Sequence, residues 1–176
     1  MSQFSDFLNT LPTRLVKKGE VLLKNGEKSD EAYYVISGCL RSYILDQKGK
    51  EHIYQFAPEG WIISDLEHHK NRGNALLNID TIEDSKIIAV KISLFQNNSD
   101  GDKKMMNEAI NKLNNRVYAL QKRIIQLLSY SAEERYKDFM TTYPNLYSRI
   151  PLKMVASYLG VTPESLSRVR KEMAKQ

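Results

Sequence analysis

Cysteine is nearly absent from this chain of 176 residues, where Cys39 stands alone. A single thiol excludes an intramolecular disulfide and any iron–sulfur cluster or zinc site built from several thiolates of one chain. Cys39 therefore reads as a small core residue. Histidine is almost as scarce: His52, His68 and His69 lack the spacing by which a helix presents two imidazoles to a zinc ion. His68 and His69 follow Asp65 and Glu67, so an incidental metal or haem contact is the alternative to a polar surface loop there. Long apolar runs are also missing. Nothing approaches the roughly 18 residues of a membrane span, and Met1-Ser-Gln-Phe-Ser-Asp-Phe-Leu8 has no basic leader followed by an apolar stretch. The expected location is the cytoplasm, with no membrane partner. What is present, 41% hydrophobic and 27% charged residues, is the balance of a folded soluble chain. The length allows two unequal domains.

The formal net charge of +5 is mild, but it is unevenly placed. In the last segment Arg149, Lys153, Arg168, Arg170, Lys171 and Lys175 stand against Glu164 and Glu172, whereas the preceding chain is close to neutral. Fields act over about one Debye length, ~10 Å. A short basic terminus on a neutral body therefore suggests a polyanion-binding module, with a solvated basic helix as the plainer alternative.

From about Arg14 to Val90, glycines recur at Gly19, Gly26, Gly38, Gly49 and Gly60. Between them lie short apolar runs such as Val21-Leu-Leu, Tyr33-Tyr-Val-Ile and Ile87-Ile-Ala-Val. This predicts closely spaced strands in an antiparallel sandwich or roll, with a turn at Asp46-Gln-Lys-Gly49. Ahead of them, Phe4, Phe7, Leu8 and Leu11 repeat at helical spacing and predict a short helix ending before Pro12.

Near Ser93 the pattern changes. Asn97-Asn-Ser-Asp-Gly-Asp is loop chemistry, and Asp102 is a good start for a long helix running to about Tyr130. Within it Met106, Ile110, Leu113, Val117, Leu120, Ile124 and Leu127 alternate at spacings of four and three, the a/d repeat of a coiled-coil seam. A line this long favours a homodimer over packing on the chain's own body. Met105, Ala109 and Leu128, beside the stripe, suggest some body contact as well. After a break at Ser129 to Ser131, a helix over Ala132 to Thr141 is expected, with Ala132, Tyr136 and Phe139 or Met140 inward. It ends at Pro144 and Asn145.

The terminal segment, about Leu152 to Lys171, has each part of a helix-turn-helix. Ala156 is small where two helices cross, and Gly160 supplies a left-handed turn. Val155, Leu159, Val161, Leu166 and Val169 are spaced for a shared core. Thr162 caps the second helix and Pro163 sits in its first turn. Thr162, Glu164, Ser165, Ser167, Arg168, Arg170 and Lys171 remain as polar candidates for contact with double-stranded DNA. Arg reads guanine bidentately, Glu accepts from cytosine, and Ser, Arg and Lys anchor phosphates.

With these residues in view, the sequence resembles the bacterial CRP/FNR transcription regulators over nearly its whole length. Gly19-Glu20, Gly26-Glu27, Tyr34-Val-Ile-Ser-Gly38, Gly49-Lys-Glu51 and Phe56-Ala-Pro-Glu-Gly60 are similar to the turns of that family's β-roll. Met106 to Leu127 is similar to its dimer helix. Glu164, Ser167 and Arg168 match the Glu-x-x-Ser-Arg pattern with which the oxygen-sensing branch reads DNA, so the resemblance implies base contacts for these three. It implies an α+β protein: an N-terminal antiparallel, jelly-roll-like β-roll over residues 1–101, a dimerisation helix over 102–130, and a small helix-turn-helix domain over 131–176.

There are departures. Where cyclic-nucleotide-binding members carry Gly-Glu-Leu and an Arg-Ser pair, this chain has Ser64-Asp65-Leu66 and Ala75-Leu76. Asp65 suits a ribose, but the guanidinium and hydroxyl for a cyclic phosphate are missing, and Arg72 is close but misplaced. The four cysteines of an oxygen-sensing cluster are missing too. The chain also stops at Gln176, where the family continues into a β-hairpin wing, so the module is either trimmed or truncated. The expectation is a non-enzymatic, sequence-specific regulator, a homodimer on an inverted-repeat operator, without cyclic-AMP control and with no cofactor. RNA polymerase is a further candidate partner, and the effector is open. The alternatives are a ligand-binding or interaction module without productive DNA binding, and a cupin-type metal enzyme built on the same roll around His52.

Overall fold

Arg14 to Val90, the glycine-punctuated stretch, folds as strands in a computed structural model that describes residues 3–67, 73–93 and 103–175. The strands are β1 (Thr13–Val16), β2 (Val21–Leu23), β3 (Glu31–Ser37), β4 (Leu40–Leu45), β5 (Glu51–Ala57), β6 (Ile62–Ser64), β7 (Asn78–Thr81) and β8 (Ser85–Lys91). They form two antiparallel four-stranded sheets, ordered β1-β8-β3-β6 and β2-β7-β4-β5. Val16, Val35, Ile63 and Ile87 from one sheet share a core with Leu23, Leu40, Ala57 and Ile79 from the other, because alternate residues of each strand point inward. This is the expected β-roll. His68, His69, Arg72 and Asp102 lie outside the described residues, as do the side chains of Met106 and Leu113.

Turn chemistry sets the connections. Asp46 Oδ1 accepts from the backbone N–H groups of Lys48 (2.8 Å) and Lys50 (3.0 Å), closing the β4–β5 hairpin, and its Oδ2 meets His52 at 2.9 Å. His52 is thus tied to a hairpin tip. Among the described residues, no three His, Cys, Asp or Glu side chains gather as a ligand set. Gly38, at φ 90°, comes so close to Ser85 that a Cβ there would lie 2.2 Å from its Oγ; only glycine fits.

α1 (Gln3–Asn9) lays Leu8 on Ile88 and Val90, the outward-facing residues of β8. The long helix α2 spans Lys103–Ser129. α3 (Ala132–Thr142) begins with a capping box, Ser131 and Glu134 bonding each other's backbone N–H, and buries Tyr136 and Phe139. α4 (Leu152–Leu159) and α5 (Pro163–Met173) follow. Phe139, Tyr143, Val155, Ala156, Leu159 and Leu166 belong to the same apolar cluster as Cys39, Ile53, Phe56 and Ile82 of the roll. The ring of Phe56 lies 5.3 Å from Tyr158 and 6.2 Å from Phe139. Cys39 is fully buried there, and burial pushes its thiol up to about 12, so it is an inert packing residue.

Candidate nucleic-acid interface

The turn between α4 and α5 is built as its residues require. Gly160 has φ 67° and ψ 34°; its N–H donates to Ser157 C=O, and Val161 N–H donates to Ala156 C=O. That is a Schellman closure, which satisfies the last carbonyls of α4. A Cβ on Gly160 would also lie 3.1 Å from Leu127 of α2. Thr162 Oγ1 caps α5 by accepting from Ser165 N–H at 3.2 Å, and Pro163 occupies the first turn. Ala156 and Leu166 are fully buried at the crossing, Val155 and Leu159 nearly so, and Val161, Val169 and Met173 pack against them.

With Leu166, Val169 and Met173 turned inward, Glu164, Ser167, Arg168 and Lys171 fall at i, i+3, i+4 and i+7 along the opposite side of α5, and all four are exposed. Arg170 is exposed beside them. The Glu164 carboxyl is held below the usual carboxylate range by Glu164's own backbone N–H and by the Thr162 hydroxyl. An ionised acceptor thus stands at the start of the helix. Thr162 and Ser165 differ from the other five. Their hydroxyls face each other at 3.1 Å, so both belong first to the helix cap.

Arg149, counted with the basic terminus above, has to be removed from it. Its guanidinium lies 2.8 Å from Glu59 and pairs with Glu83, both on the roll. Arg149 in turn holds the Glu59 carboxyl below its ordinary range. Its charge is neutralised within the chain and docks the segment before α4 on the body.

On α2, the seam residues Ile110, Val117, Ile124 and Leu127 are exposed and Leu120 is partly buried. Tyr118, Ile125 and Leu128, also exposed, widen the apolar stripe. Leu128, expected to touch the body, is 82% exposed. The side chains of Met105 and Ala109 lie outside the described residues, and contact with the rest of the chain is made by Arg123, whose side chain reaches β5 and α4, and by Lys122, which pairs with Asp138 of α3. No periodicity marks Arg123, because a basic residue between seam positions reads as solvated surface.

The roll was also expected to lack the fittings for a cyclic nucleotide. Asp65 is buried and its carboxylate accepts from the backbone N–H groups of Glu67, Leu76 and Leu77, each at 2.8 Å. It closes its own loop and is not free for a ribose. Ala75 is part of the roll core. The buried guanidinium of Arg41 is engaged by Asp80 at 2.7 Å and Glu51 at 2.5 Å.

The pattern of the cyclic nucleotide-binding domain family matches residues 13–100. Electron transport regulator A of Shewanella oneidensis is 24% identical over 169 residues, covering 88% of this chain and 65% of that protein. The fumarate and nitrate reduction regulatory protein of Vibrio cholerae gives the same identity and coverage. The chain thus spans just under two thirds of the length of these curated relatives. Its fold is similar to that of FixK2 from Bradyrhizobium japonicum, with a TM-score of 0.79 at 20% identity, over 94% of this chain and 85% of that one.

Proposed function

The chain belongs to the cyclic nucleotide-binding domain family, and from that premise and its likeness to the regulators above we propose that it is a homodimeric, sequence-specific DNA-binding transcription regulator of the CRP/FNR type. The observation that carries this reading is the α5 surface. Glu164, Ser167, Arg168 and Lys171 form one exposed line, while the opposite side of the helix is held by a core that extends into the roll. Such a helix is rigid and free to enter a major groove, and two of them, one per protomer, would meet half-sites about 34–36 Å apart. Arg168, Ser167 and Glu164 take the base edges; Arg170 and Lys171 take phosphates. Thr162 and Ser165 hold the helix start against the backbone. Residues 1–101, 102–130 and 131–176 act as sensor-like roll, dimer helix and reading head.

Arg168→Ala is expected to weaken the preferred duplex by about 1–3 kcal/mol and to relax base choice at one position per half-site. Lys171→Ala should weaken all duplexes alike and lower the salt slope by about one. Fluorescence anisotropy on selected and random duplexes across a salt series checks both. Unchanged selectivity in Arg168→Ala overturns the assignment of that residue. Preference for no duplex over random DNA at any salt concentration favours a module that does not bind DNA productively.

The roll is read as insensitive to cyclic AMP, because Asp65 is taken by its loop and Ala75-Leu76 offer neither guanidinium nor hydroxyl. Calorimetric titration with cyclic AMP is expected to show no saturable heat, and tight saturable binding would overturn this part of the reading.

A further inference from the structure

β5 lies at the end of its sheet, so the backbone groups of its free edge need partners other than another strand. The two helical segments supply them. Ser157 Oγ, on α4, accepts from Ile53 N–H at 3.0 Å and donates to Glu51 C=O at 2.8 Å. Arg123, on α2, donates to Ile53 C=O at 2.9 Å and to Tyr54 C=O. Tyr54 is the extra residue of a β-bulge, since Ser42 pairs with Gln55 and Tyr43 with Ile53, and this leaves its carbonyl outside the β4 ladder.

The same guanidinium reaches further. It donates to Tyr158 C=O at 3.0 Å and lies 4.1 Å from the centroid of the Tyr158 ring. Tyr158 is in the last turn of α4, where carbonyls lack helical partners and the dipole favours a cation. One planar fork therefore ties together the seam helix, the sheet edge and the first helix of the helix-turn-helix. An ammonium is a point charge and does not reproduce that set of bonds. The clamp leaves Glu164, Ser167, Arg168 and Lys171 exposed, so it holds the head without covering its reading surface.

We propose that Arg123 is a positioning residue for DNA binding: its fork on Ile53, Tyr54 and Tyr158 sets the angle between α2 and α5, and with it the separation of the two reading heads. The inference rests on the two-headed reading given above. Ser157 supports the same geometry from the α4 side. Loosening the fork lets each head swing, which weakens discrimination between half-site spacings while leaving each head's own contacts intact.

The test uses the full chain and palindromic duplexes selected from a random pool, remade with one or two central base pairs inserted or deleted, together with a single half-site. The parent is expected to prefer one spacing. Arg123→Ala and Arg123→Lys should lose about tenfold on that spacing and little on the other spacings or the half-site, so the profile flattens. Ser157→Ala, a milder change, should flatten it less, and it keeps the test decisive if thermal unfolding shows Arg123→Ala to be misfolded. An unchanged profile, or a uniform loss at every spacing, overturns the positioning role. A parent without preference for any dyad-symmetric duplex overturns the two-headed reading instead.

Discussion

Replacing Val117 and Ile124 together by Lys is expected to leave a monomer of 20.3 kDa that has lost nearly all affinity for a two-half-site operator. Val117 is 63% and Ile124 58% exposed in the single chain, so two lysines there cost the fold little. Both occupy a positions of the seam, where in a parallel pair each would face its own copy across the dyad. Like charges meeting there lose hydration as well as apolar contact, and the helices separate. Tyr118, Ile125 and Leu128 extend the exposed apolar area beyond the a/d line, and an apolar surface of that extent calls for a partner. Once the protomers part, the second head no longer binds at high effective concentration, which lowers operator affinity by about 10²–10⁴. Light scattering gives the mass and anisotropy the affinity. A variant that keeps a dimeric mass, or a parent that is already monomeric, overturns the seam.

Phe139→Ala is expected to have the largest effect on stability, about 3–5 kcal/mol. For a chain of this length that corresponds to a fall in Tm of roughly 6–20 °C. The Phe139 side chain is fully buried and packs edge-on to Phe56 of the roll, with Tyr143 at 5.2 Å and Tyr158 at 5.6 Å. Truncation therefore opens a cavity walled by both halves of the molecule. Because one apolar cluster runs through both, the variant should still unfold in a single transition, reported alike by far-ultraviolet circular dichroism and by the fluorescence of Trp61, which packs against that cluster and the roll core. If Trp61 fluorescence keeps its parental Tm while the helical signal melts earlier, the two halves have separate cores and the shared cluster does not couple them.

Much of the fold is legible from local pattern. Gly-bounded apolar runs such as Tyr33-Tyr-Val-Ile and Ile87-Ile-Ala-Val became β3 and β8, because an alternating chain has only two faces to offer. Ala156, Gly160, Thr162 and Pro163 announced the helix-turn-helix, since each answers a backbone demand made within a few residues. The candidate reading surface was legible for the same reason: once Leu166 and Val169 are inward, helical geometry alone puts Glu164, Ser167, Arg168 and Lys171 together.

What was not legible depends on partners far along the chain. Arg149 counts as free positive charge until Glu59, 90 residues away, lies against it. Asp65 suits a ribose until Leu76 and Leu77 turn their N–H groups onto it. Ser157 reads as an ordinary helical serine, yet its hydroxyl bonds Glu51, 106 residues distant.

The helix-turn-helix, the long helix α2 and the strands of the roll were determined by the sequence itself, because turn chemistry and periodicity act between near neighbours. The tertiary structure decided how those parts are joined: through one shared aromatic core, through the β5 edge, and through Arg123 and Arg149. The physical reason is that a polar side chain on a helix carries the same local signal whether water or a distant strand covers it, and only the folded chain brings that strand into place.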